Sequence, residues 1–252
     1  MYINNAFFTI APGQTDAAHA ALTQLALDVQ KSEPGTLLYL IHDPNFDKGV
    51  KIFPPPASSQ VLFVEGYKDQ AAFLKHHKGK AIREFIAKNG ALFLNMYGPT
   101  LPHMITQGME LVHGFIRKSA DDMSAFQVEA RWVMQPGKKR QVKKALVDYV
   151  RAVRDKEPET LMYTASFPDM TKESQNTPPI SGDRLIFNSS WKNIQAFFDH
   201  GNGPIYQGFL KEHGHLFVQA LAQPTTNHPY MTTSVMKRFA GFFRPGAFKI
   251  DQ

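Results

Sequence analysis

The sequence predicts an α+β protein built from two tandem ferredoxin-like domains, each an antiparallel sheet with helices on one face. Three observations lead there. The chain repeats itself at an offset of 124 positions. Each copy reads strand, helix, strand, strand, helix, helix, strand. The strands are short, so each sheet is left with one apolar face that the other copy can cover.

The repeat runs through every kind of element. Pro12-Gly13 returns as Pro136-Gly137, and Glu33-Pro34-x-Thr36-Leu37-x-Tyr39 as Glu157-Pro158-x-Thr160-Leu161-x-Tyr163. Pro54-Pro55 returns as Pro178-Pro179, and Ala72-Phe73-x-x-His76 as Ala196-Phe197-x-x-His200. The period is far too long for a solenoid, whose units run about 20–50 residues. It divides the 252 residues into a first domain, 1–123, and a second, 124–252, together an intramolecular pseudo-dimer.

Each element has a local reason. Phe7-Phe8-Thr9-Ile10 is aromatic and β-branched, and Pro12-Gly13 stops it in a turn. Over residues 15–31, Ala18, Leu22, Leu25, Ala26 and Val29 recur at helical spacing, with Asp16 near the positive end. Glu33-Pro34-Gly35 ends this helix. Thr36–His42 and Val61–Tyr67 are strands, separated by a proline-rich loop at about 43–59. Asp69 caps a short helix that ends near His76-His77. A second helix runs from about Gly79 to Asn89, and an apolar piece continues to about Tyr97. Met109-x-Leu111-x-His113-x-Phe115 alternates as a half-buried strand does. The second copy repeats the order, with its last strand around Thr233–Arg244 after a linker three residues longer. Gly114-Phe115-x-Arg117 returns there as Gly241-Phe242-x-Arg244.

Composition excludes several function classes. There is no cysteine, hence no disulfide, thiolate nucleophile or thiolate metal site. No apolar run approaches the roughly 20 residues that span a bilayer, and the N-terminus lacks the layout of a signal peptide. A cytoplasmic protein is expected. The net charge of +6 falls in the second half, where 17 Lys and Arg face 11 Asp and Glu. Much of it lies between Lys138 and Lys156, where Val142, Ala145, Leu146, Tyr149, Val150 and Val153 keep helical spacing. This is an amphipathic helix with a solvated basic face, without the interleaved aromatics of a nucleic-acid binder.

The motifs Glu-Pro-Gly-Thr-Leu-x-Tyr at 33–39 and Phe-Val-Glu-x-Tyr-x-Asp-x-x-Ala-Phe-x-x-His-His at 63–77 resemble the antibiotic biosynthesis monooxygenase (ABM) domain. Residues 157–163 and 187–200 carry the likeness more loosely. The resemblance implies a dimeric α/β barrel with sheets packed face to face and, in each domain, a pocket between sheet and helices. Family members include oxygenases that need no cofactor and act on quinols and polycyclic phenols; relatives isomerise small metabolites.

The resemblance puts His76 and His200 at the family's histidine position. A histidine there can take a phenolic proton near neutral pH, after which the electron-rich anion can reduce O₂ without metal or flavin. Each can equally cap a helix or bond a backbone carbonyl. Tyr67 and Trp191, at matched ends of the third strand, either wall the pocket or pack the core, as do Tyr39 and Tyr163 on the second. Glu65 is matched by Ser189, and His77 by Gly201, so the two pockets are expected to have diverged. Ser189 and Trp191 share one face of their strand, Asn188 and Ser190 the other.

No metal site is expected. His76 and His77 point about 100° apart on a helix, and His213-x-His215 does no better. The expected function is thus a cofactor-independent monooxygenase that uses O₂ on a phenol, quinol or anthrone-like small molecule. An isomerase on the same scaffold and a non-catalytic binding protein are the alternatives. Neither nucleic acid nor membrane is an expected partner, and free sheet edges would allow a further homodimer.

Overall fold

The computed structural model describes residues 1–46, 59–94, 104–174, 180–219 and 229–244. Most of the proline-rich loop, both Pro-Pro pairs and the end of the apolar piece after Gly90 lie outside the described residues. In chain order the strands are β1 (Tyr2–Thr9), β2 (Thr36–Pro44), β3 (Gln60–Tyr67), β4 (Met104–Ile116), β5 (Phe126–Val133), β6 (Thr160–Pro168), β7 (Arg184–Trp191) and β8 (Met231–Phe243). The helices are α1 (Thr15–Ser32), α2 (Gln70–His77), α3 (Lys80–Asn89), α4 (Lys139–Lys156), α5 (Ile194–Asn202) and α6 (Pro204–His213). Both halves follow the predicted β-α-β-β-α-α-β order.

Local chemistry sets the boundaries as anticipated. Asp69 and its counterpart Asn193 accept from the backbone N–H of Ala72 and Ala196 and so start α2 and α5. Gly13 and Gly137 both adopt φ of 75°, the left-handed residue that a Pro-Gly turn requires. All six apolar positions of the basic helix are buried, which leaves its charges outward. No helix among the described residues is long and apolar enough to cross a membrane.

The intramolecular dimeric α/β barrel is observed: all eight strands form one closed antiparallel barrel, in the order β1-β3-β2-β8-β5-β7-β6-β4. Each half contributes the ferredoxin-like order of last, first, third and second strand. The long strands close the seams, β4 pairing with β6 and β8 with β2. Among the described residues, no barrel strand keeps the free edge expected for a further sheet-to-sheet dimer.

The closing strands also carry each half into the other's core. Phe115 packs in the cluster under α4, while Ala240 and Phe242 pack in the cluster under α1. The repeated arginines finish the exchange. Arg117 donates to the carbonyls of Arg154 and Thr160 at the end of α4. Arg244 donates to the carbonyls of Gln30 and Thr36 at the end of α1, at 2.5 and 2.9 Å. A cation suits these helix C-termini because their last carbonyls are unpaired and carry the negative end of the dipole.

Inside the barrel, position i of one half meets position i+124 of the other. Asn5 donates to Glu129 at 2.8 Å, and the Arg131 guanidinium lies 5.3 Å from the centre of the Phe7 ring. These contacts mark a pseudo-twofold axis between β1 and β5. Arg131 also donates to the buried Glu129 carboxylate, and Asn188 exchanges side-chain hydrogen bonds with Asn5.

His42 is another fully buried interior group. Its Nδ1 lies 3.1 Å from the Leu62 carbonyl and its Nε2 2.7 Å from the Gln127 side-chain amide. Burial, aided by the charge of Arg238, lowers its pKa from 6.5 to about 4. The ring therefore stays neutral in the fold where the unfolded chain takes up a proton. Above pH 6.5 this costs nothing; as pH falls from 6.5 to 4 the fold loses stability, in all about 3 kcal/mol. Urea unfolding across that window should show a flatter pH slope for His42→Gln than for the wild type. Parallel slopes would mean that His42 is not the group responsible.

Candidate active site

The site is built where the end of the first helix of a half meets its second and third strands. In the second half, the Glu-Pro-x-Thr motif turns α4 into β6. Glu157 accepts from Thr160 Oγ1 at 3.0 Å and from His200 Nδ1 at 2.7 Å. This carboxylate pins α5 to the turn and fixes the imidazole tautomer. With Nδ1–H donated, Nε2 is the accepting nitrogen. It lies 3.2 Å from the Tyr149 hydroxyl, which in turn lies 3.1 Å from the Tyr163 hydroxyl.

The first half repeats the pair. His76 Nδ1 donates to Glu33 at 2.7 Å, and Thr36 donates to the same oxygen at 3.2 Å. The histidine–glutamate pair is therefore common to both halves, and the surroundings differ.

His200 stands between two cavities. One, of 320 Å³, lies between sheet and helices and is lined by Val128, Trp132, Tyr163, Ser189, Trp191 and Phe197 among others. The second, of 740 Å³, lies between α4 and α6 and includes Tyr149, Glu157, Asp148 and Asp199. The smaller cavity is strongly aromatic. The Trp132 and Trp191 side chains are each 2 % exposed, and neither indole N–H finds an acceptor. A buried donor left without an acceptor costs about 1–3 kcal/mol, so these two indoles are a local cost of the aromatic wall.

The matched positions of the first half are filled differently. Asn4 stands in place of Val128, Glu65 of Ser189 and Tyr67 of Trp191. Asn4 donates to Glu65 Oε2 at 2.6 Å and Tyr67 to the same oxygen at 2.7 Å. Burial raises the Glu65 pKa against these donors, and raises that of the Tyr67 phenol further. Three polar side chains thus satisfy one another at positions that line the cavity in the second half.

Seven of the eight residues singled out from the sequence fall into two groups, and His77 joins neither. His200, Trp191 and Tyr163 share the aromatic cavity. His76, Tyr39, Tyr67 and Glu65 come together in the first half, with Tyr39 and Tyr67 rings 5.4 and 5.5 Å from the His76 ring, but they form a packed cluster. His77 turns away and packs against Phe73 at 5.7 Å. Sequence reasoning missed three residues: Glu157, read as a helix stop; Tyr149, read as helix packing; and Trp132. The signal for Glu157 was the recurrence of Glu-Pro-x-Thr together with the histidine 43 residues later.

Fold and site define the chain as an eight-stranded dimeric α/β barrel with an aromatic-lined cavity beside a histidine–glutamate pair in its second half. Residues 1–88 match the antibiotic biosynthesis monooxygenase family. No curated protein matches the chain. Among solved structures, a candidate monooxygenase of Fusobacterium nucleatum is similar at 12% identity and TM-score 0.70, covering 96% of each chain. A candidate monooxygenase of Lactobacillus acidophilus is similar at 11% identity and TM-score 0.69, covering 94% of this chain and 93% of its own. An anthrone oxidase-like protein is similar at 12% identity and TM-score 0.56, covering 93% of this chain and 90% of its own. At these identities the likeness is one of fold.

Proposed function

We propose that the protein is a cofactor-independent monooxygenase for a phenol, quinol or anthrone-like molecule, with the reaction centred on the aromatic cavity of the second half. The observation that carries the proposal is His200, tied to Glu157 at 2.7 Å, at the wall of that cavity. At 320 Å³ the cavity is near the lower end of small-molecule sites, about 300 Å³, and suits a flat aromatic. The family match and the anthrone oxidase-like neighbour support the substrate class.

His200 accepts the substrate proton, and the Glu157 carboxylate stabilises the imidazolium that forms. The anion left behind is electron-rich and gives an electron to O₂; the two radicals then combine. For an anthrone the methylene carbon gains one oxygen atom of O₂, and its two hydrogens leave with the other as water.

Oxygen consumption by metal-free protein against anthrones, quinols and catechols tests this reading. Uptake that His200→Ala abolishes supports it; binding of the same compounds without uptake sinks it and leaves an isomerase or a binding protein. The cavity itself has a separate test. Val128→Asn/Ser189→Glu/Trp191→Tyr copies the packed cluster of the first half into the second. This variant is expected to fold, by circular dichroism, and to lose aromatic-ligand binding, by titration calorimetry. Binding at wild-type affinity would place the ligand elsewhere.

A further inference from the structure

The two cavities flanking His200 are joined by a continuous row of proton-carrying groups. Tyr163 lines the aromatic cavity, while Tyr149 and Glu157 line the cleft between α4 and α6. The Tyr163 and Tyr149 hydroxyl oxygens are 3.1 Å apart, Tyr149 is 3.2 Å from His200 Nε2, and His200 Nδ1 is 2.7 Å from Glu157. Since Nδ1 donates to Glu157, the accepting nitrogen of His200 is already engaged by the Tyr149 hydroxyl. We propose that the substrate proton leaves the aromatic cavity through Tyr163 and Tyr149 to His200, and on to Glu157 and the cleft, instead of passing from substrate to histidine directly. This inference rests on the proposed base role of His200 and adds the route.

The proton balance closes. Tyr163 oxygen receives the substrate proton as its own passes to Tyr149. Tyr149 passes its proton to His200 Nε2, and His200 releases the Nδ1 proton to the Glu157 carboxylate. The Glu157 side chain is 17% exposed and the His200 side chain 5%, so the carboxylate is the member better placed to discharge to water. Burial raises the pKa of both tyrosines, which fits hydroxyls that hand a proton on without resting as phenolates.

The row is absent from the first half. Leu25 occupies the position that matches Tyr149, so the phenol nearest to Tyr39 in the relay is missing there. Tyr149 thereby distinguishes the two halves on the helix side, as Ser189 does on the sheet side.

The test uses the full chain, without O₂, and a hydroxyanthraquinone dye at a pH at which the free dye is neutral. Stopped-flow absorbance reads the change of the bound dye from neutral to anion, and calorimetry reads its Kd. Tyr149→Phe and Tyr163→Phe should each slow deprotonation about 100-fold with little change in Kd. The double variant should be no slower than either single one, because both interrupt the same row. Deprotonation by Tyr149→Phe at the wild-type rate would overturn the relay, as would a weakened Kd with an unchanged rate. A wild type that deprotonates the dye yet consumes no oxygen with any substrate would remove the oxygenase reading and leave the relay standing.

Discussion

His200→Ala is expected to lower kcat about 10²- to 10⁴-fold, the usual contribution of a positioned acid–base group. His76→Ala is expected to leave turnover by the folded protein at the wild-type level. The contrast is informative because both histidines make the same 2.7 Å bond to a glutamate at the end of a helix. What separates them is the neighbourhood. His200 borders an aromatic-lined cavity, whereas His76 borders Tyr67 and Glu65, which are engaged with each other. Initial-rate oxygen measurements on both variants, normalised to folded protein, decide the matter. Equal losses would mean that the halves act alike and that the cavity does not mark the working site.

Gly241→Ala is expected to cost about 3 kcal/mol, which lowers Tm by roughly 6–12 °C in a chain of this size. Gly241 has φ of 113°, and a Cβ there would collide with the Tyr39 carbonyl oxygen across the β2–β8 seam. The register of that pairing shifts between Ile41 and His42, so the backbones cross closely at this point. Neither a side-chain rotation nor a neighbouring methyl can relieve a collision with backbone. Gly208→Ala, on α6 with nothing within 4 Å of the added carbon, should instead stabilise by up to about 1 kcal/mol. Thermal melts of the two variants test the argument, and similar melting temperatures would refute it.

Much of the fold was legible because its causes are local. The helix over 15–31, the basic helix and the Asp69 cap follow from spacing and capping chemistry, and the structure places α1 at Thr15–Ser32 and the cap as anticipated. The repeat supplied the topology. The barrel came from the family resemblance, and the strand pairs that close it were not legible: nothing in β4 or β8 alone says which strand of the other half will pair with it. Both strands also run longer than alternation suggested, 13 residues each. The first strand begins at Tyr2, ahead of Phe7, because Asn4 and Asn5 are buried with hydrogen-bond partners and do not read as strand core.

The candidate site was legible in parts for the same reason. His200, Trp191 and Tyr163, singled out through a repeated motif, line one cavity. Tyr149 looked like one more apolar position of an amphipathic helix, since spacing reports that a residue faces inward and not what its hydroxyl meets. Glu157 sits in a motif whose proline and glycine-like turn role masked its carboxylate. Trp132 lies on the first strand of the second half, and only the fold shows that its indole lines the same cavity as Trp191.

The contacts on the pseudo-twofold axis set the terms on which the halves can pair. Two copies of the second half would bring Glu129 against Glu129 and Arg131 against Arg131 in the water-poor centre of the barrel, with Asn5 and Phe7 missing. Two copies of the first would leave asparagine against asparagine and phenylalanine against phenylalanine. Charge and its partner have been shared out between the halves, so self-association of the second half is penalised and pairing with the first is selected.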